Sequence, residues 1–557
     1  METFDAPQAA PASLITGPVE SLNVRDGLDE KVVPWALSLG VLLVYLLFPT
    51  RNYYWDGIDF AFVIEQSRGL GPALIHPHHL LYNSFGYLVY QAFGAAGWPV
   101  RAVHALQFAN AFLSALSALL FYRFLRHAFR SSFTGAALTL LFAFSSTWWK
   151  YSTDADSYVP CLLSLLVCLN LLFVSSKARP WSVALAHAAG MFMHQLAVFF
   201  YPVAVLGFLL HGRGLGLKRR LVLALKYSAA ASLTTLAVNY YCFRLQTGAY
   251  GLADFAAWLT SYVQGPQGYS FSFDLRDIVA QSFRGHTRLF FEGRFNWLEG
   301  LVSPPILILL AVLVVNVSLL VWKVVRGRKQ IVSSFGASVP LEGRVKSVAA
   351  ACALWACVYF AFLCFWYPYF TPYRMFYLPA LITLLGVVLH RYELFRSPGR
   401  RLVALMFVAV MALSNFLFFI YPLAHVEKYP PLAMALGMGE AWPTGTVIFY
   451  AGRNADNELF NYFNPTTTWR RVAPASGGIS EEELRDAYRQ GGGAWIDASA
   501  HDLLKTSPEG SRWLAEHTRG GKRAELVDGA HRIIFVQLTP SADASAAISP
   551  ESADSHR

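Results

Sequence analysis

Apolar windows of helix-spanning length recur along the first 420 or so positions of the chain, with short polar or basic intervals between them. A bilayer core about 30 Å thick needs about 20 apolar residues per helix, so each window reads as a membrane span. Roughly eleven spans result, near 32–49, 102–122, 133–149, 158–175, 181–194, 195–211, 220–243, 300–322, 346–367, 375–390 and 402–421. The run beginning at Val32 follows a polar segment of about thirty residues, too late and too long for a cleaved leader, and is expected to be a signal anchor. The segment 79–96 is apolar but carries tyrosines, Asn83 and Gln91 behind Pro77, and is expected to be a helix lying at the membrane interface. Beyond 421 the pattern changes. Strand-like runs at Thr446–Tyr450, Ala494–Asp497 and Arg532–Leu538 alternate with helical ones at Glu481–Arg489 and Ser511–His517, which predicts a small α/β domain over 422–539. The Ser/Ala-rich stretch 540–557 is expected to be a disordered tail.

Composition supports lipid as the solvent. Charged residues make up 14% and hydrophobic residues 55% of the chain, against about 25% charged in a soluble domain. The net charge of +10 is gathered in clusters between apolar runs, the pattern of a topology signal and not of a nucleic-acid-binding surface. With 79–96 excluded as a span, one set of alternating loops holds nineteen basic residues, from the Arg123 cluster to Arg401, while the opposite short loops hold Lys150 and Arg374. Basic loops mark the cytoplasmic face. The polar segment 1–30 is therefore expected inside, and loops 50–101 and 244–299 and the C-terminal domain outside a bacterial inner membrane. The six cysteines lie in or beside apolar runs and read as packing residues. The fold class is thus an all-α polytopic membrane protein, spanning over 31–421, with a small extracytoplasmic α/β domain.

Candidate chemistry collects at that outer end. Asp56 and Asp59 follow the first span within an aromatic belt, where a carboxylate is costly unless it has a partner or a task; Asp56 also suits a helix cap. His76, His78 and His79 flank Pro77 in the same loop, where they could hydrogen-bond a phosphate or sugar or, with the two aspartates, ligate a divalent metal. Asp154, Asp156 and Tyr158 precede the fourth span, and His194 lies in the turn between the fifth and sixth. Arg374 is a cation beside apolar helices, able to hold a lipid phosphate or to snorkel.

In these residues the chain resembles the GT-C superfamily of membrane glycosyltransferases, in particular its bacterial protein O-mannosyltransferase-like branch. Asp56, Asp59 and Phe60 match an Asp-x-x-Glu/Asp-Phe element in the first external loop, and His76 with Pro77 matches the His-Pro element after it. Trp149, Asp156 and Tyr158 correspond to a Trp seven positions before Glu-x-Tyr, and His194 to a His eight residues before a Pro, here Pro202. Two positions depart from the pattern: His78 stands where the family has a second proline, and Asp156 where it has a glutamate. The matching elements cover about the first 210 residues.

The resemblance implies transfer of a sugar from a polyprenyl-phosphate-linked donor to a protein, lipid or glycan acceptor hydroxyl at the outer membrane face, with inversion. On that reading Asp59 or Asp56 is the base, and Arg374 with His76 or His194 holds the phosphate. No cofactor is required by the sequence, and a divalent metal remains open. A transporter would be equally polytopic, but it should show internal repeats and ionisable groups near midplane, whereas here they gather at one end. A lipid-linked oligosaccharide ligase or polymerase could use the same face.

Overall fold

A computed structural model describes residues 20–210, 215–261, 271, 273–336, 338–451, 456–472, 479–489, 491–528 and 531–540. Most of the expected N-terminal segment and nearly all of the expected tail lie outside the described residues.

Each predicted span overlaps helical structure, though not always one continuous helix. Among the described residues, six are long and apolar enough to cross a membrane by themselves: Ala102–Phe129, Leu217–Thr247, Pro304–Arg328, Gly343–Phe365, Pro372–Arg391 and Pro398–Leu423. Val32–Leu47, Ser132–Ala143, Tyr158–Val174 and Gln195–Leu210 are apolar but shorter. Local chemistry sets several ends. Ser131 caps Ser132–Ala143 by accepting from Thr134 N–H, Pro180 and Pro398 occupy first helical positions, and Gly248, at φ 70°, ends Leu217–Thr247 in the left-handed conformation. The expected span 133–149 is broken into Ser132–Ala143 and Ser146–Ser152. The expected interfacial segment forms the helix Tyr82–Ala95, packed between Trp55–Gln66 and Ala102–Phe129. The loop 244–299 is not featureless, since it contains helices Leu252–Leu259 and Leu275–Phe290.

Where helices break at the functional end, buried backbone carbonyls lose their helical partners and need others, because little water reaches them. Amide side chains projecting from neighbouring helices supply the donors. Gln107 Nε2 donates to Thr50 O and Thr153 O, both at 2.8 Å, and Asn110 Nδ2 donates to Asp154 O and Asp156 O, both at 2.7 Å. Asn415 Nδ2 likewise reaches Phe144 O at 2.8 Å and Phe290 O at 2.7 Å. These polar residues inside apolar helices therefore hold irregular loops in one shape. All six cysteines are free thiols and five are buried, in keeping with a packing role.

The C-terminal region forms a five-stranded sheet of β1 (Thr446–Tyr450), β2 (Thr467–Arg471), β3 (Ala494–Asp497), β4 (Arg523–Asp528) and β5 (His531–Leu538), in the order β2-β1-β3-β5-β4. β1 runs parallel to β2 and β3, while β5 is antiparallel to β3 and β4. The sequence reading found β1, β3 and β5 and missed the two edge strands. Both edges are polar, Thr-Thr-Trp-Arg-Arg and Arg-Ala-Glu-Leu-Val-Asp, so they lack the apolar signature of a central strand. Trp442, Trp469 and Phe535 of this domain join Tyr53, Ile58, Phe60 and Ile64 of the first loop in one apolar cluster. Glu65 bolts the two together, accepting from Arg101 Nε at 2.9 Å, Ala102 N at 2.7 Å and Tyr462 Oη at 2.7 Å.

Candidate functional site

The helix Trp55–Gln66 carries Asp56 and Asp59 on successive turns, and its position is set from below by the 150–157 segment. Tyr54 N–H, at the helix start, donates to Asp154 Oδ2 at 3.0 Å, and the same carboxylate pairs with Lys150. Gly57 is needed for the close approach: a Cβ there would lie 2.5 Å from Ala155 O. Asp56 does not cap the helix. The N-cap residue is Tyr54, without a side-chain cap bond, and Asp56 sits in the first turn, where a carboxylate is favoured by the helix dipole.

The histidine loop is laced to the turn before the sixth predicted span. Gln195 Oε1 meets His78 Nδ1 at 2.9 Å, Gln195 Nε2 donates to Pro77 O at 3.0 Å, and Gln195 N donates to His78 O at 3.1 Å. His79 Nδ1 lies 2.8 Å from Ser157 Oγ and 3.2 Å from Met193 O. His79 packs against both His76 and His194, with ring centroids 5.3 and 4.8 Å apart. His194 Nδ1 accepts from Leu196 N–H at 3.1 Å, so its neutral ring carries the proton on Nε2. Burial lowers the pKa of all four imidazoles, that of His78 to about 4, and neighbouring histidines add to the effect at His78, His79 and His194. At neutral pH they are uncharged hydrogen-bonding groups.

Asp56, Asp59, His76, His78, His79 and His194 all border one cavity of about 570 Å³, whose remaining wall includes Trp55, Phe199, Phe362, Trp366 and Tyr373. One side is thus polar and titratable and the other aromatic. Burial raises the Asp59 pKa from 3.8 to about 6, and no hydrogen bond or ion pair from a described residue engages its carboxylate. A carboxylate poised near neutral pH and free to accept a proton is suited to general-base work.

Four other predicted site residues lie behind this wall. Asp154 is fully buried and structural by its contacts, as described above. Asp156 is also fully buried; its Oδ1 accepts from Ser157 Oγ at 3.3 Å, while Oδ2 has no hydrogen-bond partner among the described residues. Burial, and then the charge of Asp154, raise the Asp156 pKa. Ser157 Oγ links this carboxylate to His79 and hence to the cavity. Tyr158 packs edge-on against Tyr373 and beside His194. Arg374, expected beside the lipid phosphate, is 1% exposed and does not line the cavity. Its guanidinium donates to Phe370 O at 3.1 Å and Pro368 O at 2.6 Å, over Gly285, where a Cβ would come within 2.7 Å of Cζ. No group of three or more His, Cys, Asp or Glu residues among the described ones is arranged to hold a metal ion. Proline and adjacency turn the loop imidazoles toward different partners.

Gln195 and Ser157 organise the site and were not singled out from the sequence. Each directly follows a residue that was, His194 and Asp156, but nothing in spacing marks them.

No family model and no curated protein matches the chain. Solved structures do. The crystal structure of ArnT from Cupriavidus metallidurans bound to undecaprenyl phosphate superposes with a TM-score of 0.53 at 12% identity, covering 91% of this chain and 98% of that one. Its apo form gives 0.54 at 13%, covering 92% and 98%. The likeness runs through both the helical region and the C-terminal domain. This chain therefore has the fold of ArnT.

Proposed function

We propose that this protein transfers a sugar from a polyprenyl-phosphate-linked donor to an acceptor hydroxyl at the outer face of the bacterial inner membrane. The observation that carries the reading is the cavity in which Asp59, raised to about pH 6, faces neutral imidazoles across from an aromatic wall. The likeness to a structure of ArnT with bound undecaprenyl phosphate supports a lipid-phosphate donor. The resemblance of the first-loop motifs supports a mannose-type sugar and a protein, lipid or glycan acceptor.

In the proposed step the acceptor oxygen attacks the anomeric carbon as Asp59 takes its proton. The bond from that carbon to the phosphate oxygen breaks, the polyprenyl phosphate leaves, and the anomeric configuration inverts. Uncharged His76 and His194, whose Nδ1 atoms accept backbone N–H groups, offer Nε2–H donors to the leaving phosphate, stabilising charge as it develops, while His78 gives its Nδ1–H to Gln195 Oε1 and fixes the loop. Asp56, one turn nearer the helix start, orients the acceptor or sugar. Arg374 acts at one remove, holding the Pro368–Phe370 turn that lies between Trp366 and Tyr373 of the aromatic wall.

Purified protein supplied with undecaprenyl-phosphate-linked sugars tests the reading. Asp59→Asn should cut turnover at saturating donor by about 10² to 10⁴, the usual contribution of a general base, and Asp56→Asn by less. Rates near wild type in both variants would overturn it.

A further inference from the structure

A second pocket lies at the same end of the helices but on the other side of the Thr50–Tyr54 segment. It has a volume of about 250 Å³ and shares no residue with the candidate site. Arg51, His104, Gln107 and Thr153 provide its polar lining, and Tyr45, Leu46, Phe108 and Ala111 its apolar side. Among the described residues Arg51 has no carboxylate partner; its guanidinium makes one long contact, 3.4 Å from Nη1 to Tyr53 Oη. His104 is engaged through Nδ1 with the amide of Gln107 at 3.1 Å, and the nearby acid Glu65 is already committed to Arg101, Ala102 and Tyr462. The pocket is therefore cationic through Arg51, whose charge is uncompensated by any described carboxylate, while His104 gives its Nδ1–H to Gln107 Oε1.

Phe108, 45% exposed, also lines a neighbouring groove of about 420 Å³ between helices Tyr82–Ala95 and Ala102–Phe129. That groove is almost wholly apolar, with Phe93, Trp98 and Phe112 among its walls, and Trp98 and Phe112 are exposed to the surroundings of the helices. A small cationic cup thus adjoins a longer apolar trough across one aromatic ring, at the level where a span emerges from the membrane. The charge and polarity match an amphiphile with an anionic head and hydrocarbon chains.

From this pairing of cup and trough we infer a binding site for an anionic glycerophospholipid of the bilayer, its phosphate at Arg51 and an acyl chain along the Phe108 trough. The site is separate from the cavity of the proposed transfer reaction and does not depend on that reading. It also has a structural route to it. Gln107 and Thr153 line the cup, and Gln107 holds Thr50 O and Thr153 O, on the segments that lead into Tyr54 and Asp154.

The test is native mass spectrometry of the purified full chain in detergent, titrated with phosphatidylglycerol or phosphatidylcholine of matched chains. Wild type should retain phosphatidylglycerol about tenfold more strongly, the factor that one charge-assisted hydrogen bond supplies. Arg51→Gln should abolish the preference and Arg51→Lys should keep most of it, which separates loss of charge from loss of fold. Equal retention of both lipids by wild type, or an undiminished preference in Arg51→Gln, would overturn the inference by marking the contacts as unselective. Displacement of bound phosphatidylglycerol by undecaprenyl phosphate at equal concentration would overturn it too, by assigning the pocket to a polyprenyl lipid.

Discussion

Asp59 should make the protein less stable at the pH where it serves as a base. Its carboxyl has a pKa of about 6 in the fold against 3.8 unperturbed, and burial is the cause. Because the folded state holds the proton more tightly, the stability associated with this group is fully present below about pH 4 and is lost as pH rises through 6. A difference of about two pKa units corresponds to about 3 kcal/mol at full ionisation, and water in the cavity screens it toward 1–2 kcal/mol. Asn is nearly isosteric with the neutral acid and never ionises, so Asp59→Asn should be more stable than wild type by about 1–2 kcal/mol at pH 8. The advantage should vanish at pH 4. The assay is reversible unfolding in mixed micelles at the two pH values, run beside the transfer assay. A variant that is inactive and stabilised only at high pH supports an ionised, underpartnered base. Equal or lower stability at pH 8 would refute the argument, because the carboxylate would then have compensation that the geometry does not contain.

Transfer should increase with pH through about 6 as Asp59 loses its proton, and a rate independent of pH between 5 and 7 would remove it as the base. Gly57→Ala puts a Cβ 2.5 Å from the Ala155 carbonyl oxygen, so the helix must shift, at a cost of about 1–3 kcal/mol; turnover should fall at least about tenfold in protein that still folds, and an unchanged kcat would show that the 154–156 loop does not position the aspartates. Arg374→Ala should destabilise the chain by about 1–3 kcal/mol for each carbonyl left unpaired; intact stability with lost donor binding would instead make Arg374 a direct phosphate ligand. In a background without native cysteines, an impermeant maleimide applied to intact cells should label Ser511→Cys and spare Gly327→Cys, and the reverse pattern would move the proposed site to the cytoplasmic side.

What the sequence determined by itself was the part governed by local periodicity and solvent preference. Apolar runs must become helices in lipid, so the helical character of the first 420 or so residues could be read directly, as could three of the five strands of the C-terminal sheet from their alternation. The polar edge strands β2 and β4 could not, since an edge strand has one neighbour and needs little apolar character. The site was legible as a set of residue types at one end of the helices but not as an arrangement. Only the tertiary structure separated Asp59, open to the cavity, from Asp154, which is consumed by Lys150 and Tyr54 N–H. It likewise turned Arg374 inward onto two carbonyls, because a break between helices leaves acceptors that a nearby guanidinium satisfies, and such breaks follow from packing between distant segments. Partnership and burial decide whether a charged side chain is structural or reactive, and both are properties of contacts far apart in the chain.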